Sequence, residues 1–207
     1  TGTGRIMKLD MHTMSLFESR ESNGKVSLSA LFNGNHDAEG ALSDLTVPDL
    51  IYAACRGGFP QSLRLSKENA LFIGSNYLND VVNDDISRVD GIERNPTIAR
   101  RIIRSYARNI ATLATDKSII KDISRDGTIS SQTYYDYINA LRKLYVISDL
   151  EAWTPRIRSS TAIRSGTKRM IADPSISVAA LGLSPSVLEK DLKTFGFIFE
   201  SLVARDL

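Results

Sequence analysis

Apolar residues recur at three- and four-residue steps through most of this chain, and the stretches where they alternate are short. That pattern predicts a mainly α protein with a small β component. The last periodic stretch, Thr194 to Leu207, puts Phe195, Ile198, Phe199, Leu202 and Val203 at helical spacing and reaches Asp206-Leu207 with no Gly, Pro or capping Asn. A helix without a stop signal gives the expectation that the chain is an internal piece of a larger protein. At the other end Arg5 to Met11 alternates apolar and polar residues, which predicts a strand, and Thr1-Gly2-Thr3-Gly4 precedes it without an initiator Met.

Between these ends the helix signals are clear. Thr46-Val47-Pro48-Asp49 supplies an N-cap, a first-turn Pro and a favourable acid, and Gly57-Gly58-Phe59-Pro60 is a stop. Lys67 to Ile86 reads as one long helix with Leu71, Phe72, Leu78, Val81 and Val82 inward, and Pro96 to about Ala114 as another, with Ile98, Ile102, Tyr106, Ile110 and Leu113 on one face. A shorter helix spans Lys117 to Ile123. Ser130-Ser131 then caps a helix carrying Tyr134, Tyr137, Ile138, Leu141 and Leu144. The strand-like Leu144 to Ile147, a polar loop with Pro155 and Gly166, and the strand-like Arg169 to Ala172 complete the order of a winged helix. Asp173 before Pro174 reads as the N-cap of a further helix.

Charge changes the picture once it is divided. The net +2 splits into 8 Lys/Arg against 12 Asp/Glu over residues 1–90 and 18 against 12 over 91–207, so the halves carry −4 and +6. No apolar run approaches the roughly 20 residues needed to span a bilayer, which predicts a cytoplasmic protein with no membrane partner. One cysteine, Cys55, and two histidines, His12 and His36, leave no ligand set for a structural metal and suggest no nucleophile–base pair.

Two basic features remain. Arg100, Arg104 and Arg108 form a four-residue stripe with Arg101 beside it, either an anion-binding face or a solvated one. From Ala152 to Ala172 there are five cations, Arg156, Arg158, Arg164, Lys168 and Arg169, and no acid. In a winged helix this loop follows a nucleic-acid backbone, or it docks on another part of the protein, and both readings stay open. Against the first, the putting-forward of Gln132, Tyr135, Asp136 and Asn139 by the recognition helix sets a carboxylate toward phosphates.

Gly2-Thr3-Gly4-Arg5-Ile6, Met14 to Ser19, Arg56-Gly57-Gly58-Phe59-Pro60, Ser159 to Arg164, Asp173-Pro174-Ser175-Ile176 and Thr194 to Glu200 together resemble bacterial ATP-binding proteins of the AAA superfamily that carry a C-terminal domain of unknown function, type 4143. The resemblance implies three segments: the end of a P-loop ATPase core with a helical lid (1–60), a helical and winged-helix domain (61–172), and the first helices of a restriction-endonuclease-like domain (173–207). It implies ATP and Mg for the parent protein, while these residues contain no Gly-x-x-x-x-Gly-Lys-Ser/Thr motif and no catalytic set. It makes Arg5 a phosphate-sensing candidate, Arg56 a weaker one, and Glu200 the first acid of the nuclease-like pattern; an arginine suits the first task because it bridges phosphate oxygens and stays charged. The expected function is that of an inactive regulatory or binding portion of an ATPase. The alternatives are a nucleic-acid-binding module and a protein-interaction adaptor, with a protein partner or a second copy of the chain as ligand.

Overall fold

The computed structural model describes residues 4, 5, 7, 9, 11–34, 40–124, 129–155 and 165–207. Eleven α-helical segments are labelled here in chain order. Helix α1 is Leu28–Phe32 and α2 is Val47–Arg56. A 3-10 turn, Pro60–Arg64, leads to α3 (Lys67–Ala70), α4 (Ile73–Asp80), a π turn (Val81–Asp85) and α5 (Ile86–Arg88). Then come α6 (Pro96–Arg108), α7 (Asp116–Ile123), α8 (Ser131–Lys143), α9 (Pro174–Leu181), α10 (Pro185–Leu188) and α11 (Leu192–Asp206).

Local chemistry sets most of these boundaries. Thr46 and Asp49 form a capping box at α2, the Asp49 carboxylate taking the Thr46 amide at 2.9 Å. Asn95 caps α6 by accepting from the Thr97 amide at 2.8 Å. Asp191 caps α11 by accepting from the Thr194 amide at 3.0 Å, so the helix starts at Leu192, two residues before the start that periodicity suggests.

Where propensity and packing disagree, the elements differ from expectation. The predicted single helix Lys67 to Ile86 is three pieces, and Phe72, expected inward, is exposed at the junction of the first two. Helix α6 ends at Arg108 instead of Ala114, because Ala111 enters the left-handed region at φ 58° and turns Thr112 out to pair with Arg169. The strand expected at Arg5 to Met11 is absent from its described residues: Met7, Leu9 and Met11 are exposed and outside any ladder.

The small β component consists, among the described residues, of two isolated antiparallel bridges, Ile147 with Ile171 and Leu150 with Lys168. The Ser148 amide donates to the Met170 carbonyl at 3.1 Å, and Lys168 and Leu150 exchange bonds of 2.8 and 3.0 Å. Ala111 and Thr112 add a third run, exchanging two 2.8 Å bonds with Arg169. Among the described residues the order from α6 onward is therefore helix, extended run, helix, helix, then two extended arms.

A single apolar core runs through all of this, from Ile51 on α2 through Val82, Ile86, Ile102, Tyr106, Ile119, Tyr134, Ile138 and Ile171 to Ile176, Leu188 and Ile198. Helix α9 is its axle, packing on α2, α4, α6 and α11. The face of α11 carrying Phe195, Ile198 and Leu202 is buried, so the helix is not solitary; Phe199, expected with them, is more than one-third exposed. The three segments that sequence separates at residues 60 and 172 thus share this core.

Candidate functional site

Two polar clusters take in Arg56, Asp173 and Arg169 of the residues singled out by sequence. The first is built on Asp173, which is fully buried. Its Oδ1 accepts from the Ser175 amide at 2.9 Å and the Ser175 hydroxyl at 2.6 Å, which caps α9. Its Oδ2 accepts from the Gly58 amide at 2.8 Å and the Thr13 hydroxyl at 2.6 Å, and Arg205 Nη1 lies 3.5 Å away with its side chain buried. Arg205 also holds Asp206 at 2.7 Å, and Asp206 Oδ2 accepts the Leu16 amide at 3.0 Å.

Residues 13–21 are thereby strapped across the end of α2. The Met14 amide donates to the Gly58 carbonyl at 2.8 Å, and Glu21 forms a two-pronged ion pair with Arg56 at 2.7 and 2.8 Å. Arg56, the weaker nucleotide candidate, is therefore buried in this pair and points at no phosphate site. The glycine pair is required sterically: Gly57 has φ 75° and a Cβ there would strike Asp173 Oδ1, while a Cβ on Gly58 would strike the Met14 carbonyl oxygen. Gly58→Ala is expected to loosen the strap, and trypsin should then cut after the exposed Arg20 several-fold faster than in the wild type. An unchanged cleavage rate would mean that the strap is held elsewhere.

The second cluster centres on Arg169, which sequence places in the basic loop but which is buried. Its Nε donates to the Ala114 carbonyl at 2.8 Å, Nη2 pairs with Asp116 at 2.9 Å, and Nη1 with Asp149 at 3.3 Å. Asp149 also accepts from the Tyr106 hydroxyl, from Arg142 at 3.0 Å and from the Met170 amide at 3.1 Å. Tyr134 donates to Asp116 at 2.8 Å. Burial first, and then the carboxylate each one faces, hold both tyrosine hydroxyls well above their ordinary pKa, so they stay protonated donors. Arg169 is a clamp joining the 111–112 run, α7 and both arms.

Lys168 pairs with Glu200 across to α11, so the wing lysine and the nuclease-pattern acid neutralise each other at the surface. Arg5 is exposed. Arg156, Arg158 and Arg164 lie outside the described residues. On α8 the exposed face carries Gln132, Tyr135, Asp136 and Asn139 as expected, with the Gln132 amide donating to Asp136 at 2.9 Å. Arg142 and Lys143, which follow on the same helix, pair with Asp149 and Asp90. The Trp153 side chain, just before the basic loop, stands in solvent.

Burial pushes the Cys55 thiol up to about 12, so it is not a thiolate at neutral pH. Among the described residues no group of three His, Cys, Asp or Glu side chains could hold a metal ion, and no helix is long and apolar enough to cross a membrane. The cavity beside Asp173, lined by His12, Thr13, Tyr77 and Tyr145, measures about 140 Å³, well short of a ligand site.

The fold is thus a mainly helical one in which β structure, among the described residues, is limited to short paired arms. The chain belongs to the family described as Domain of unknown function (DUF8612), whose model matches residues 47–187. That span runs from the first residue of α2 to within α10 and takes in both polar clusters except the strap and the end of α11. No curated protein and no solved structure matches the chain.

Proposed function

We propose that residues 96–172 form a winged-helix unit that binds nucleic acid, as the non-catalytic binding portion of an AAA-type ATP-binding protein. The observation that carries the reading is the order of elements around Arg169: α6, the 111–112 run, α7, α8, then two antiparallel arms paired at Ile147–Ile171 and Leu150–Lys168. In a winged helix the third helix enters or flanks a groove and the loop between the arms tracks the backbone. Here Arg169 fixes the second arm, and the sequence between the arms contains Arg156, Arg158 and Arg164 with no acid between Ala152 and Ala172.

Electrostatics assigns the work within the unit. The cations on α8 are spent on Asp149 and Asp90, and its Asp136 faces out, so that helix contributes polar contacts only. Affinity then rests on Arg156, Arg158 and Arg164, and the exposed Trp153, which precedes them in sequence, would stack on an unpaired base or pack on a sugar. The ATPase parentage is supported by the way the resembling segments Arg56-Gly57-Gly58, Asp173-Pro174-Ser175 and residues 13–21 meet at one point. ATP and Mg would belong to that parent. A Walker lysine in the coding sequence ahead of residue 1 supports the parentage, and its absence removes it.

The binding reading is tested by fluorescence anisotropy on a 20-base-pair duplex. Three phosphate contacts predict an affinity loss of roughly fortyfold between about 50 and 200 mM salt. Arg156→Glu with Arg158→Glu should lower affinity at low salt by more than about tenfold without moving the melting temperature. A wild-type chain with no salt-sensitive affinity overturns the reading, and a stoichiometric protein lost on the same charge reversal would assign the loop to protein docking.

A further inference from the structure

We infer that the groove between α4, α6 and α9 binds an organic phosphate. The groove encloses about 300 Å³ and is walled on one side by Thr97, Arg100, Arg101 and Arg104 of α6. Leu78 of α4 and the Ala179-Ala180 pair of α9 make the opposite side, and no carboxylate lines it.

The state of the arginines is what sets the groove apart. In this protein the arginines with buried side chains hold acids, Arg56 with Glu21, Arg94 with Asp90, Arg169 with Asp116 and Asp149, and Arg205 with Asp173, and on the exposed face of α6 Arg108 holds Asp122. Arg100 and Arg104 hold none among the described residues, although they lie on the same helix as Arg108 and one turn apart. Arg101, between them in sequence, also lines the groove and donates to the Ile123 carbonyl at the end of α7, which ties α6 to α7. The Thr97 hydroxyl, one turn earlier, has no partner among the described residues either. Three donors thus follow one another along a single ridge at spacings of three and four residues, which puts them side by side.

Charge and size select the ligand. Two guanidinium groups one helical turn apart would leave one charge uncompensated around a monocarboxylate, whereas a phosphomonoester or diphosphate can occupy both, each through paired N–H donors. A bare phosphate is far smaller than the groove, which is at the lower end of the range for small-molecule sites. The remaining space is bounded by Leu78, Ala179 and Ala180, whose short side chains make a flat apolar floor suited to a ring. Phosphate joined to an apolar or aromatic body is the chemistry that fits, and it occurs both in a free mononucleotide and in the 5′-phosphate end of a nucleic-acid strand.

Isothermal titration of the whole chain with inorganic pyrophosphate, ADP, and a hexanucleotide with and without a 5′-phosphate tests this. ADP or the phosphorylated hexamer should bind at least about tenfold tighter than pyrophosphate, and Arg100→Gln with Arg104→Gln should weaken that binding by at least about tenfold. The melting temperature without ligand should not move, since neither side chain has a partner to lose. ADP binding alone names a free nucleotide, and preference for the 5′-phosphorylated over the 5′-hydroxyl hexamer names a strand end. No saturable binding up to about 1 mM, equal affinity for ADP and pyrophosphate with no preference for the phosphorylated strand, or an unaffected double variant overturns the inference. The inference does not rest on the basic loop: Arg156→Glu with Arg158→Glu should leave the pyrophosphate and ADP titrations unchanged.

Discussion

Asp173→Ala should cost about 3–5 kcal/mol of stability, the range for stranding one partner of a buried ion pair. At roughly 2–4 °C per kcal/mol for a chain of this size, the melting temperature should fall by about 10 °C. The reason is the number of groups that lose their acceptor at once. The Ser175 amide and hydroxyl, the Gly58 amide and the Thr13 hydroxyl all donate to this one carboxylate, and the buried Arg205 guanidinium would keep only Asp206. Each stranded donor adds a desolvation penalty that water cannot relieve in a site this closed. Asp173→Asn should do less harm, since the amide oxygen still accepts. Adding Arg205→Met to Asp173→Ala should recover part of the loss, because the unpaired charge goes with it. A melting curve for Asp173→Ala within 2 °C of wild type, an interval worth roughly 1 kcal/mol or less, would show that the convergence at this residue contributes little.

Arg169→Ala has the second largest expected effect, about 2–4 kcal/mol, and its signature separates the two roles open to this residue. As a loop cation touching nucleic acid it would lower affinity and the salt slope with stability untouched. As the buried partner of Asp116, Asp149 and the Ala114 carbonyl it should lower the melting temperature by about 5–10 °C. It should also speed hydrogen exchange at the Ala111 amide, which donates to the Arg169 carbonyl. The cost is smaller than at Asp173 because Asp149 keeps Arg142, Tyr106 and the Met170 amide. Unchanged exchange and melting would return Arg169 to the nucleic-acid surface.

Local chemistry explains which parts of this structure can be read from sequence. The start of α2, the caps of α6 and α8, and the cap role of Asp173 depend on residues within four positions of each other, and all four are visible in the chain. Ala111 is the opposite case: nothing about alanine signals a left-handed turn, and that conformation persists because Arg169, 58 positions on, supplies two hydrogen bonds there. The roles of the arginines were hidden for the same reason. Arg56 and Arg169 look like free cations in one dimension, and only the return of residues 13–21 and of Asp116 and Asp149 neutralises them. Asp206 and Arg205, at the last turn of α11, gave no signal beyond ordinary surface charge, yet they complete the cluster around Asp173.

The π turn at Val81–Asp85 makes the helical run from Ile73 to Arg88 one residue longer than its packing requires. Leu78, Val82 and Ile86 are all buried, at strict four-residue steps. On a plain α-helix such a row drifts by roughly 40° per step and would carry Ile86 off the core. The wider turn takes up the drift and keeps the row straight. Removing a single residue here, for instance Asn83, would therefore let the turn close to a plain α-helix: Ile86 would stand seven residues after Leu78, roughly 20° from alignment with it, and would stay on the core.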